Sequence, residues 1–233
     1  MDNTLKIGLA QIAPVWLNKA KTIEKIIDTL HLAGKDNCEL IVFGEALLPG
    51  YPFWLELTGG ATFNSQIQKE IHAHYIRNAV QVEAGDLDTI CAVAKQYSMS
   101  IYLGTIERAK NRGGHSLYCT LVYIDQNGVI KSTHRKLQPT YEERLTWSPG
   151  DGHGLQTPSL KQFTVGGLNC WENLMPLPRA ALYAMGEDLH IAVWPGQYRN
   201  THDITPFLAK EGRSFAVSVS SVMQRSDFPA DTP

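Results

Sequence analysis

HSLYCTLVYIDQNGVIKSTHRK, residues 115–136, holds two β-rich runs on either side of Asn127-Gly128. That dipeptide favours a tight primed turn, in which both central residues need positive φ, so the stretch reads as a β-hairpin. Outside it, strand-like and helical runs alternate. Upstream, LKIGLAQI (5–12) alternates apolar and small residues as a strand does. Residues 19–34 set Ile23, Ile26, Ile27 and Leu30 on one side at helical spacing. ELIVFGEA (39–46) is a continuous apolar run of the kind buried on both faces of a sheet. LPGYPFW (48–54), with two prolines and a glycine, is loop. Residues 86–98 form a helix with Leu87, Ile90, Val93 and Ala94 as its apolar side, and SIYLGTIE (100–107) is a strand.

Downstream of the hairpin comes a Pro- and Gly-rich loop (138–158), then QFTVGGLNC (162–170) as a strand running into Cys170. Residues 178–187 read as helix, LHIAVWP (189–195) as strand, 203–215 as helix and AVSVSSV (216–222) as a closing strand. Strands alternating with helices, together with one long hairpin, indicate a layered α/β domain with helices covering sheets.

Composition bounds the function. The chain has 233 residues, 43% of them hydrophobic, enough for one sizeable core. A formal net charge of -2 supplies no field for nucleic acid or an anionic membrane. No apolar run approaches the ~20 residues of a spanning helix. MDNTLKIGLAQIA (1–13) has no basic region ahead of a long apolar stretch, so it does not read as a signal peptide. Cysteines at 38, 91, 119 and 170 show no paired spacing and suit a reducing compartment. The expectation is a soluble, cytoplasmic protein.

Among the cysteines, Cys119 shares a strand face with Leu117, Leu121 and Tyr123 and reads as core; Cys91 packs beside Ile90 and Val93; Cys38 has no evident partner. Cys170 differs, standing where a Gly-rich strand meets a polar turn in GGLNCWENLMP (166–176). On local sequence a packing thiol and a nucleophile facing a cleft fit equally. A nucleophile would need a base to take its proton, because a free thiol has a pKa of about 8.5, and a cation beside the attacked group. Glu45, closing a buried strand, is costly there unless it is paired or used. Lys136 ends the hairpin within the run Lys131, His134, Arg135 and Lys136, and Glu143 follows in PTYEERLTW. Each of these also fits a solvated surface.

Metal chemistry finds little support. His72 and His74 stand two apart, where helical side chains diverge, and neither CxxC nor HExxH occurs. GDGHG (150–154) lacks the features of a phosphate loop, and GRSFA (212–216) leads from helix to strand, the reverse of a nucleophile elbow.

Four marks occur in a fixed order: FGEALLPGYP around Glu45, HRKLQPTYEER around Lys136 and Glu143, GDG, and GLNCWENLMPL around Cys170. Together they resemble the nitrilase branch of the carbon–nitrogen hydrolase superfamily, over nearly the whole chain from KIGLAQ to EGRSFAVSVSS. The resemblance implies a four-layer αββα sandwich and a catalytic Glu45–Lys136–Cys170 triad, with Glu143 as the family's further glutamate. It implies a nitrile substrate, water as co-substrate, no metal or organic cofactor, and a homodimer or larger spiral homo-oligomer. Tryptophan after the cysteine resembles true nitrilases more than the amidase branches. An amidase on the same scaffold and a non-catalytic assembly protein are the alternatives. Tyr51, Trp54 and Trp171 are candidate pocket walls, and their size points to aromatic or arylaliphatic substrates. Family members extend well past the position matching Val222, so residues 1–233 read as a single domain lacking the C-terminal part of the usual family length.

Overall fold

In the computed structural model, which describes residues 4–228, the first strand is β1 (Ile7–Ala10). The first three residues of the stretch read for a leader lie outside the described part. Helix α1 (Lys19–Lys35) follows, its first turn closed by the Asn18 side chain accepting from the Lys21 N–H, as an N-cap residue should. Next come β2 (Leu40–Phe43), the short α2 (Trp54–Leu57), α3 (Gln66–Asn78), α4 (Asp88–Tyr97) and β3 (Ser100–Arg108). The hairpin is β4 (Leu117–Ile124) and β5 (Ile130–Arg135). The remainder is β6 (Ser159–Leu160), β7 (Phe163–Asn169), α5 (Pro176–Ala184), β8 (Leu189–Trp194), α6 (Ile204–Gly212) and β9 (Phe215–Ser220).

These strands form two sheets, ordered β1-β2-β3-β4-β5 and β6-β7-β8-β9. In the first, β1, β2 and β3 run parallel and the hairpin strands antiparallel; in the second, β7, β8 and β9 run parallel. The period of two along a strand sorts side chains between layers. On β2, Ile41 and Phe43 face α1 and α4, meeting Ile26, Leu30, Ile90 and Val93. Leu40 and Val42 face the other way, with Tyr102, Leu121 and Tyr123, against Val165, Ile191, Val193 and Val219 of the second sheet. Each large side chain withdrawn from water there contributes about 1.5–3 kcal/mol. Helix α6 covers the far face of the second sheet through Ile204 and Leu208 on Ala192 and Trp194, and Leu182 of α5 closes on Gly166. The layers are therefore helix, sheet, sheet, helix, the expected αββα sandwich.

The hairpin is closed differently from the primed turn that Asn127-Gly128 suggests. Gly128 alone of the pair has positive φ, at 75°. Its N–H donates to the Asp125 carbonyl, and Asp125 N–H donates to the Val129 carbonyl. This is a type I turn followed by a left-handed glycine bulge. The Asp125 carboxylate decides it, accepting from both the Asn127 and Val129 N–H groups and so stabilising the longer loop.

Candidate active site

Three strand ends and one turn converge where the two sheets meet. Glu45 stands two residues beyond β2, its N–H donating to the Trp194 carbonyl at the end of β8 (3.2 Å). Lys136 follows β5 directly, and Cys170 follows β7 directly. Glu143 sits in a single tight turn, Tyr141–Leu145, whose start is closed by reciprocal bonds between Thr140 and Glu143. All four side chains are buried, Cys170 the least at 4% exposed.

Lys136 Nζ donates to Glu45 Oε1 at 2.8 Å and to Glu143 Oε2 at 2.7 Å. Tyr51 Oη donates to the other Glu143 oxygen at 2.8 Å, and the Thr140 N–H donates to Oε2. The expectation of a solvated basic run therefore fails for Lys136 itself, which is enclosed with two carboxylates. Two acids on one ammonium leave an excess negative charge out of water, and the protonation preferences follow. Burial pushes Glu45 up, opposed by Lys136 and assisted by Glu143, to about 7. Burial alone would favour neutral Lys136, but Glu45 and the other acidic groups around it hold its pKa well above the usual lysine value. Burial and the Glu45 charge raise Cys170 well above an ordinary thiol, while Lys136 and the Trp171 N–H favour its thiolate. At rest the sulfur carries its proton.

The backbone at Cys170 is strained. Cys170 adopts φ 47°, and both Ala46, next to Glu45, and Tyr141, two residues before Glu143, lie at 53°. Left-handed backbone at non-glycine residues costs on the order of 1–2 kcal/mol each. At Cys170 and Ala46 it turns the chain beside a side chain of this buried cluster.

Sequence reasoning missed what secures this elbow. Glu172, two residues after the cysteine, accepts from Leu137 N–H (2.7 Å), next to Lys136, and from Asn169 N–H (2.9 Å), next to Cys170. His134 Nε2 lies 3.1 Å from both of its oxygens. One carboxylate thus ties the strand end carrying the lysine to the one carrying the cysteine, across the two sheets. Burial pushes Glu172 up, yet His134 and these N–H groups hold it below the usual carboxylate range. Behind it, Asn173 Nδ2 donates to the Cys170 carbonyl (2.8 Å), and its oxygen meets His190 Nε2, whose Nδ1 meets Glu187. A histidine inside the apolar strand LHIAVW was the available signal, since a buried imidazole demands partners.

Cys119, read as core, is buried as expected, but its Sγ lies 3.5 Å from Glu45 Oε1 and so touches the cluster. A cavity of about 600 Å³ opens over Cys170, walled by Tyr51, Trp171 and Trp194, with Glu142 and Arg199 also lining it. That size is ordinary for a small-molecule site. Tyr51 and Trp171 stand where a pocket wall would. Trp54 does not: it is buried edge-on against Trp16 and Tyr75 in a core away from this cavity. Its proposed role as a wall is corrected to packing, because α2 turns its ring inward. Among the described residues no group of His, Cys, Asp and Glu is arranged to hold a metal ion. Among the described residues no helix is long and apolar enough to cross a membrane.

Comparison with known proteins gives a coherent picture. The family described as carbon-nitrogen hydrolase matches residues 6–226. "Nitrilase 2" from an unknown prokaryotic organism is 35% identical over 198 residues, covering 85% of this chain and 61% of that protein. An aliphatic nitrilase of Rhodococcus rhodochrous is 30% identical, covering 95% of this chain and 61% of its own. An arylacetonitrilase of Hypocrea virens is 31% identical, covering 88% and 60%. The chain thus spans about three-fifths of the length of these curated relatives. Among solved structures, the amidase from Nesterenkonia sp. AN1 with acrylamide added at its active-site cysteine shares the fold. Its TM-score is 0.71 at 18% identity, covering 94% of this chain and 79% of that one.

Proposed function

From the membership of this chain in the carbon–nitrogen hydrolase family, in its nitrilase branch, we propose that it hydrolyses an organic nitrile to the carboxylic acid and ammonia through covalent intermediates on Cys170. The observation that carries this reading is Lys136 bonded to both Glu45 and Glu143 in a buried cluster whose cavity contains Cys170.

In this reading Glu45 takes the Cys170 proton as the sulfur attacks the nitrile carbon. A raised carboxylate pKa suits that role, since a base works best near the operating pH. A thioimidate forms, and Lys136 together with the Trp171 N–H stabilises charge developing on nitrogen. Water adds, the proton held by Glu45 passes to the departing amine, and ammonia leaves a thioester. A second water, deprotonated by Glu45, releases the acid and returns the proton to sulfur. Glu143, fixed by Tyr51 and Thr140, keeps Lys136 directed at this centre. The aromatic walls Tyr51, Trp171 and Trp194 favour a nitrile bearing an aromatic group.

The test is Cys170→Ala assayed for ammonia from a panel of aryl and arylaliphatic nitriles and their matched amides. Nitrile turnover should fall at least about 10³-fold with the circular dichroism spectrum unchanged. Retained turnover refutes the nucleophile, and a strong preference of the native chain for amides refutes the choice of substrate.

A further inference from the structure

Glu45 has two oxygens, and the fold treats them differently. Oε1 accepts from Lys136 and, more weakly, from the Cys119 thiol. Oε2 is buried and has no partner among the described residues. A second buried polar atom without a partner among the described residues, Ser221 Oγ, stands in the same corner. Three observations set the two residues side by side. The Trp194 carbonyl accepts from both the Glu45 and the Ser221 N–H, at 3.2 and 3.4 Å. Gly44 packs so closely on Ser221 that a Cβ at Gly44 would strike its N and Oγ. Glu45 and Ser221 also line one cavity of about 10 Å³, otherwise walled by apolar residues such as Pro14, Ala46 and Pro195. Tyr51, Pro195 and Ser221 line this small cavity and the larger one over Cys170 alike.

A space of that size holds about one water, provided polar partners are present. Buried polar atoms are almost always hydrogen-bonded, to water where protein does not supply the bond. We propose that Glu45 Oε2 and Ser221 Oγ together seat a single water molecule, and that this water cleaves the acyl-enzyme. Ser221 is then a positioning residue for hydrolysis. The inference rests on the Cys170 reading above and adds to it the site from which the nucleophilic water comes.

The step balances. Glu45 Oε2, freed of the thiol proton once ammonia has left, takes a proton from the water held by Ser221. The water oxygen bonds to the thioester carbon, the carbon–sulfur bond breaks, and the proton on Glu45 returns to sulfur. One carboxylate oxygen thus serves two successive proton donors, Cys170 on one side and water on the other. Oε1 stays tied to Lys136 throughout.

The experiment separates acylation from deacylation. p-Nitrophenyl acetate would acylate Cys170 with a burst of p-nitrophenolate, followed by a steady rate set by hydrolysis. In Ser221→Ala the burst rate should stay within about twofold of native, while the steady rate falls about tenfold, the scale of one lost hydrogen bond to the water. Hydroxylamine, an acceptor that needs no seat at Ser221, should restore the steady rate, and Ser221→Thr should retain most of it. A steady rate unchanged in Ser221→Ala, or both phases falling together, overturns the proposal and leaves the Cys170 chemistry standing. A native chain that gives neither a burst nor ammonia from nitriles sinks the catalytic reading and this inference with it.

Discussion

Glu45 answers to opposing forces at the scale of one side chain. Lys136 favours its charge; burial and Glu143 oppose it, and they win, pushing the pKa up to about 7. A base must be unprotonated to accept the thiol proton, so kcat/KM should rise with pH through about 7 and then level. A profile already flat from pH 5 upward would remove Glu45 from that role. Cys170 does not set this limb: its raised pKa makes it a thiol across the range. At this scale the sequence was informative wherever a residue type clashed with its setting. A carboxylate closing IVFGEA and a cysteine after GGLN both stood out. Glu172 did not, because a charge in a polar turn looks ordinary until the two backbone N–H groups that it binds are in place. Trp54 misled for the opposite reason: an aromatic near a loop suits a core as well as a pocket.

Elements bring these side chains together through close backbone approach. The loop carrying Glu45 lies directly on β3 at Gly104, where a Cβ would collide with the Gly44 carbonyl oxygen and the Ala46 nitrogen. The Leu48 N–H donates to the Gly104 carbonyl, and Ile106 N–H to the Leu48 carbonyl, fixing the loop to the strand. Gly104→Ala must displace backbone rather than a pliable side chain, so it should cost roughly 1–3 kcal/mol. Activity should fall further than the folded fraction does, because Glu45 moves with its loop. Urea unfolding paired with nitrile turnover checks this, and an unshifted midpoint would contradict the packing. SIYLGTIE was legible as a strand from its β-rich pattern. Its glycine could not be interpreted, since the colliding atoms belong to a loop some sixty residues earlier. The hairpin shows the same limit: Asn127-Gly128 marked the position of the turn, but the Asp125 carboxylate chose its type.

For the whole molecule, two sheets facing each other set the distance between lysine and cysteine. Lys136 rides on the first sheet and Cys170 on the second, with Ile191, Val193 and Leu121 among the residues packed between. Ile191→Ala opens a cavity there and should cost about 2–5 kcal/mol. Thermal unfolding should report the loss, while turnover per folded molecule stays near native because the strand ends are held separately by Glu172. Loss of turnover without loss of stability would mean that the frame does not work in this way. The alternation of strands and helices, the continuous apolar run of β2 and the apolar parity of β4 are local or periodic properties, so the sequence by itself determined them. Which face of each sheet meets the other, the enclosure of Lys136 between two acids, the inward turn of Trp54 and the clamp at Glu172 depend on atoms distant along the chain. Only the tertiary structure decided those, because a buried charge and a close contact are defined by their neighbours in space.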